Sequence, residues 1–198
     1  MFDYRAKGAG MEPRVSKLGH IGITVRDVDR TIDFYTKYLG MKLTEKFVYP
    51  PDRLGHGVAV AEGAFIRCDV THHEMSIFRM REDIVPSGTP DAPRFGFGLH
   101  HIAFELDSPK ALLALFTKMR DGGVEIVNSR KGGPGNQPRF YARDPDGNLL
   151  EFYWGIDKIG WQGVPRRYDG IEEIDLFSFG FDEYERTRRQ DAEAANVS

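Results

Sequence analysis

Cysteine is almost absent: Cys68 is the only one in 198 residues. A disulfide framework and a cysteine-ligated zinc site are therefore excluded. No apolar run approaches the roughly 20 residues that a membrane-spanning helix needs. The opening stretch, MFDYRAKGAGMEPR, has no apolar core, so no secretory leader is expected and the chain reads as cytoplasmic. Charge of one sign is also lacking. A net charge of −3 leaves no basic field to attract nucleic acid or an anionic membrane. With 40% hydrophobic and 29% charged residues, the composition is that of a soluble chain able to bury a real core.

Residues 1–15 are polar and read as a flexible arm. In LGHIGITV, the residues Ile21, Ile23 and Val25 share one face, and His20, Gly22 and Thr24 share the other. That is a half-buried strand. Asp27-Val28-Asp29 starts a helix that stops at Gly40. Strands are expected over Met41–Val48, Val58–Ile66 and His72–Met80, with the loop Tyr49–Gly57 between the first two. Residues 82–96, with three prolines, read as a linker.

The pattern then recurs. LHHIAFEL is a strand, and Ser108-Pro109 opens a helix that runs through Met119 to Gly122-Gly123. Val124–Asn128 is a strand and Ser129–Pro138 a loop. The stretch FYARDPDGNLLEFYW, Phe140–Trp154, reads as a hairpin turning on Asp144-Pro145-Asp146-Gly147. The two halves align at an offset of 81, which maps His20 onto His101 and Lys37 onto Lys118. The expected fold is α+β: two tandem βαβββ modules, 16–81 and 97–155, curl a mixed sheet around a groove that holds a metal. An irregular C-terminal extension over 156–198 ends in a frayed helix.

Glu151 is the anomaly, a carboxylate inside an otherwise apolar strand. It is costly there unless paired or bound to a metal, or unless the strand is an edge and the side chain faces solvent. Two equivalent first-strand histidines and a last-strand carboxylate form a two-His, one-carboxylate set. Such a set holds one face of a divalent ion and leaves the other open, as in non-heme Fe(II) oxygenases.

LGHIGITVRDVDRTIDFYTKYLGMKL, LHHIAFEL and DPDGNLLEFYW together resemble the vicinal oxygen chelate superfamily, across residues 17–155. The segment from Cys68 to His72-His73, the doublet His100-His101 and Tyr141 ten residues before Glu151 resemble its type I extradiol dioxygenases, in their smaller one-domain form. The resemblance implies that His20, His101 and Glu151 bind Fe(II), with Mn(II) as the alternative. It implies His72 as the acid/base, with His73 as its substitute at the substrate, and Tyr141 as the hydrogen-bond donor to a catechol oxygen. Asn136 and Arg139, with Arg130, would meet the substrate's polar tail. A small aromatic substrate, O2 and a homo-oligomeric state are the implied partners. One departure stands out: Gly132 occupies the position where many such enzymes carry a histidine.

Two other readings stay open. A glyoxalase- or epimerase-like enzyme would overlay Glu74 on Glu151 and use it as a fourth ligand to Ni(II) or Zn(II). A metal-free binding protein would line its pocket with Phe140, Tyr153 and Trp154. Taken singly, the residues have plainer roles. Cys68 reads as a small buried hydrophobe and His100 as packed on the opposite strand face. His56 reads as an exposed loop residue, and His73 as facing away from His72.

Overall fold

Alternation and capping account for the first module. In β1 (Ile21–Val25), Ile23 and Val25 are buried while Gly22 and Thr24 are exposed. Asp27 caps α1 (Val28–Leu39) by accepting from the Arg30 amide at 3.0 Å, and Gly40 ends it at φ 69°, where glycine carries no steric cost. The strands β2 (Lys42–Val48), β3 (Val60–Arg67) and β4 (Met75–Met80) follow. The chain is described from a computed structural model over residues 18–49, 60–82, 99–133, 135–157 and 170–187. The expected arm, most of the Tyr49–Gly57 loop with His56, nearly all of the linker, Trp161 and the last residues of the extension lie outside these.

The second module repeats the order with β5 (Ile102–Glu105), α2 (Pro109–Asp121), β6 (Ile126–Gly132), β7 (Arg139–Arg143) and β8 (Leu149–Tyr153). Ser108 caps α2 through the Ala111 amide at 3.1 Å. The chain is α+β, as expected, and its modules form two mixed sheets ordered β1-β4-β3-β2 and β5-β8-β7-β6-β9. In both, the first strand lies parallel to the last strand of its module and stands at the sheet edge.

Three segments depart from expectation. The region after Gly155 holds a strand that was not expected, β9 (Ile171–Glu173), which pairs antiparallel with β6; residues 181–187 are helical, as expected. With that partner, β6 runs on to Gly132 instead of ending at Asn128. Glycine is required at 132, since a Cβ there would lie 2.3 Å from the Gly170 carbonyl oxygen. The last strand of the first module starts at Met75, not His72, because Glu74 folds the preceding residues into a turn. Its carboxylate accepts from the Cys68 amide at 2.9 Å and from the Thr71 hydroxyl.

Both modules share one apolar core. Ile23, Val25, Tyr35 and Ile77 of the first join Leu112, Phe140, Leu150 and Phe152 of the second. The joint is made by α1 and the Asp144–Asn148 turn. The Asp144 carboxylate accepts from the Asp146 amide at 3.0 Å and the Asn148 amide at 2.9 Å, and also from the buried Tyr35 hydroxyl at 3.2 Å. Thr31 reaches Asp146 at 3.3 Å, Arg26 forms an ion pair with it at 3.4 Å, and Arg30 donates to the Pro145 carbonyl. Among the described residues, no helix is long and apolar enough to cross a membrane.

Burial, and then Asp144, hold the Tyr35 hydroxyl well above its ordinary pKa of 10.0. The folded state therefore favours the protonated phenol, and its contribution is present below pH 10 and lost as pH rises beyond it. Tyr35→Phe should cost about 1 kcal/mol at pH 7. Denaturant titrations at pH 7 and above pH 10 should show the gap to wild type narrowing at the higher pH.

Candidate functional site

In β8, Leu150 and Phe152 point into the core, so Leu149, Glu151 and Tyr153 point to the face away from α2. Because β8 lies between β5 and β7, Glu151 is on an interior strand and only 5% exposed. The solvent-facing edge position is thereby ruled out, and four side chains meet the carboxylate instead. The Tyr141 hydroxyl, on the residue directly across the ladder, donates to Oε2 at 2.9 Å. His101 Nε2 lies 3.0 Å from the same oxygen. Gln137 donates to Oε1 at 3.3 Å, and Arg139 Nε sits 3.8 Å from Oε1. Arg139 also donates to the Tyr141 hydroxyl at 3.0 Å and to the Gly132 carbonyl at 2.7 Å.

This chemistry is internally consistent. A buried carboxylate is tolerated because a guanidinium and hydrogen-bond donors surround it. Burial first, then the bond to Glu151, raise the Tyr141 pKa, so its hydroxyl keeps its proton at neutral pH. Asn128 Oδ1, Arg130 Nε and Gln137 Oε1 are buried without a hydrogen-bond partner, and all three belong to this polar side of the second module. Such orphans are uncommon in native structures and mark places where a ligand or a further polar group can bind.

The first module carries a different face. His20 is exposed, and its ring centroid is 4.6 Å from that of His73, which lies 4.5 Å from Phe65. His72 and His73 approach through their Nδ1 atoms at 2.9 Å, and His72 Nε2 is 3.6 Å from Glu45. Both histidines touch Phe65, so they do not face opposite ways: they sit in the turn before β4, where strand alternation does not apply. Burial, then the neighbouring His20 and His72, lower the His73 pKa, which favours neutral imidazole.

The ladder registers define which positions are equivalent. Ile21 pairs with Met75 and Ile102 with Leu150, so the slot of Glu151 is filled in the first module by Ser76. Phe65, across from Ser76, stands where Tyr141 stands across from Glu151. Glu74 is therefore not the counterpart of Glu151, and its carboxylate is already engaged by its own turn.

His101, Glu151, Tyr141 and Arg139 come together; His20, His72 and His73 gather on the other module. Among the described residues, no three His, Cys, Asp or Glu side chains converge as a metal site. Asn136 is a turn residue at φ 59° whose carbonyl accepts from Tyr184. Arg139 is buried and paired, not a free arm for a substrate tail. Phe140 is fully buried and stacks on Phe152, so it is core and not pocket wall. Cys68 and His100 are exposed, contrary to the packed positions expected for them, and His100 rests on His101. Sequence reasoning passed over Gln137 and the roles of Phe65 and Ser76. The registers that reveal the last two depend on loop lengths that differ between the modules.

A family model, the Glyoxalase/Bleomycin resistance protein/Dioxygenase superfamily, matches residues 17–152. The 3-methylcatechol 2,3-dioxygenase of Pseudomonas putida is 24% identical over 163 residues, covering 82% of this chain and 50% of that protein. The chain thus spans half the length of that relative. The uncharacterized protein YwbC of Bacillus subtilis is 30% identical over 138 residues, covering 69% of this chain and 96% of that one. Among solved structures, a glyoxylase/bleomycin resistance protein/dioxygenase domain from Frankia sp. EAN1pec superposes with a TM-score of 0.54. It is 20% identical and covers 72% of this chain and 99% of its own, which is a likeness of fold.

Removing the guanidinium would leave Glu151 buried with its counter-charge gone. Arg139→Met should destabilise the fold by about 3 kcal/mol, and Tyr141→Phe by about 1 kcal/mol. Chemical denaturation at pH 7 checks both, and adding Glu151→Gln should recover part of the Arg139→Met loss.

Proposed function

The chain belongs to the Glyoxalase/Bleomycin resistance protein/Dioxygenase superfamily, and within it we propose that it is a non-heme Fe(II)-dependent extradiol dioxygenase, cleaving the ring of a catechol-type aromatic substrate with O2. The observation that carries this reading is the cluster of His101, Tyr141 and Glu151 on adjacent strands. The similarity to 3-methylcatechol 2,3-dioxygenase supports the reaction class.

The donor chemistry suits a divalent ion in part. His101 Nε2 and Glu151 Oε2 are 3.0 Å apart. Neighbouring donors on one ion, with bonds of about 2.1 Å at right angles, are separated by about 3 Å. Imidazole and carboxylate with open positions favour Fe(II), and Mn(II) is the alternative. His20, the third proposed donor, is not in that cluster among the described residues. When bound, such an ion would acidify a catechol hydroxyl and bring the two reactants into contact.

The chain's own residues have definite tasks in this scheme. Arg139, with Nε 3.8 Å from Oε1, supplies a counter-charge to the buried Glu151 carboxylate. Tyr141, held protonated by burial and by its bond to Glu151, would donate to a substrate oxygen. His72 would serve as the acid/base on the first-module side. Ser76 in the equivalent carboxylate slot, and the engagement of Glu74 by its own turn, weigh against a four-ligand glyoxalase-type site.

Purified without oxygen and reloaded with Fe(II), the protein should turn a catechol to a yellow ring-cleavage product with equimolar oxygen uptake. Glu151→Ala should lose the bound iron. His72→Phe should keep it and lose about a hundredfold or more in turnover. Wild-type iron content in Glu151→Ala would remove the triad.

A further inference from the structure

On the second sheet, the face turned away from the core can be followed strand by strand. Asn128 of β6 stands across from Tyr141 of β7, and Tyr141 across from Glu151 of β8. One step along the strands, Arg130 stands across from Arg139, and Arg139 across from Tyr153. Residues directly opposite in a ladder share a face, so Asn128 and Arg130 belong to the same surface as the Glu151 cluster. With strands about 4.8 Å apart, Asn128 is roughly 10 Å from Glu151, and Tyr141 lies between them. β6 adds nothing to this surface beyond Arg130, because it ends at Gly132, where a Cβ would meet the Gly170 carbonyl oxygen.

Asn128 and Arg130 have bonding capacity to spare. Asn128 Oδ1 and Arg130 Nε are buried and have no hydrogen-bond partner. The first is an acceptor and the second a donor. Two positions apart on one strand face, they stand roughly 7 Å apart at the backbone and do not satisfy each other. Unpaired buried groups destabilise a fold, so each asks for an explanation. The third such atom, Gln137 Oε1, sits in the shell of Glu151 itself. A Cβ at Gly135 would come within 2.8 Å of it, and the same side chain already donates to Glu151 through Nε2.

Charge on this face is matched. Arg139 Nε lies 3.8 Å from Glu151, and Arg130 Nη2 lies 4.0 Å from Glu173. A carboxylate arriving here would find no unmatched cation and would set its lone pairs against Asn128 Oδ1. A hydroxyl suits both orphaned atoms at once, since it donates to the amide oxygen and accepts from the guanidinium N–H.

We propose that Asn128 and Arg130 form a substrate subsite, beyond Tyr141, that selects catechols carrying an uncharged, hydroxyl-bearing side chain. The subsite rests on the reading of Glu151 and Tyr141 as the place where the catechol oxygens are held. A ring held there extends along the row from Glu151 to Asn128, and its side chain ends between the two orphaned atoms. An analogue with a methyl group in place of the hydroxyl leaves both atoms unpaired and is rejected.

The test is a calorimetric titration of the full-length protein, loaded with Fe(II) and kept without oxygen. The probes are 3-(hydroxymethyl)catechol and 3-ethylcatechol, which differ only in the hydroxyl or methyl that ends the side chain, together with the 4-substituted pair and 2,3-dihydroxybenzoate. In at least one pair the hydroxyl compound should bind about tenfold or more tighter. Asn128→Leu and Arg130→Met should each bring that ratio close to one. Asn128→Leu should also unfold at a denaturant midpoint no lower than wild type, because the carbonyl it removes has no partner. Equal affinities within both pairs overturn the subsite, and if the same catechols are cleaved in air the dioxygenase reading stands without it. Tighter binding of the benzoate than of either hydroxyl compound overturns the neutral side chain. A ratio unchanged in Asn128→Leu, or a lower midpoint in that variant, overturns the role of Asn128. A protein that binds none of these catechols overturns the subsite and the reading beneath it. A preference abolished by Asn128→Leu, with no ring cleaved in air, overturns the dioxygenase activity and leaves the subsite standing.

Discussion

The buried Asp144 carboxylate is the joint on which the arrangement of this chain depends. It closes the hairpin turn of the second module through the Asp146 and Asn148 amides and, in the same place, accepts from Tyr35 on the helix of the first. A buried carboxylate must find partners, and here those partners come from both modules. The satisfaction of one polar group therefore sets how two otherwise separate sheets meet. They meet through α1, α2 and the Asp144–Asn148 turn, over one apolar core.

That joint has a chemical consequence. A strand has two faces, and the one that packs on the core cannot also carry the site. With Ile23, Val25, Leu150 and Phe152 turned inward, His20 and Glu151 stand on faces turned away from the shared core. The internal repeat has diverged along the same division. Phe65 and Ser76 occupy in one module the places of Tyr141 and Glu151 in the other. One half became an aromatic surface and the other a buried charge cluster.

The Glu151 cluster shows how a costly group is made tolerable. Arg139, Gln137, Tyr141 and His101 surround a carboxylate that is almost excluded from water. Of these, Arg139 looks in the sequence like a loop cation for a substrate tail, because nothing local marks it as buried. Its burial follows from the position of β7 between β6 and β8, a fact of sheet order. Cys68 errs the other way: it reads as a core residue, yet the Glu74 turn carries it to the surface.

Local rules were enough to determine much of this protein from its sequence. Alternation marked β1 and β5, capping residues marked both helices, and DPDGN marked the hairpin, because each depends on contacts between near neighbours. The 81-residue interval likewise made His20 and His101 equivalent, and each stands immediately before an edge strand. Tertiary structure alone decided the rest. It put Ser76 in the slot of Glu151, drew β9 into the second sheet and buried Arg139 beside the carboxylate. Register and module packing depend on loop lengths and on which distant groups satisfy one another's hydrogen bonds, and no periodicity along the chain records those.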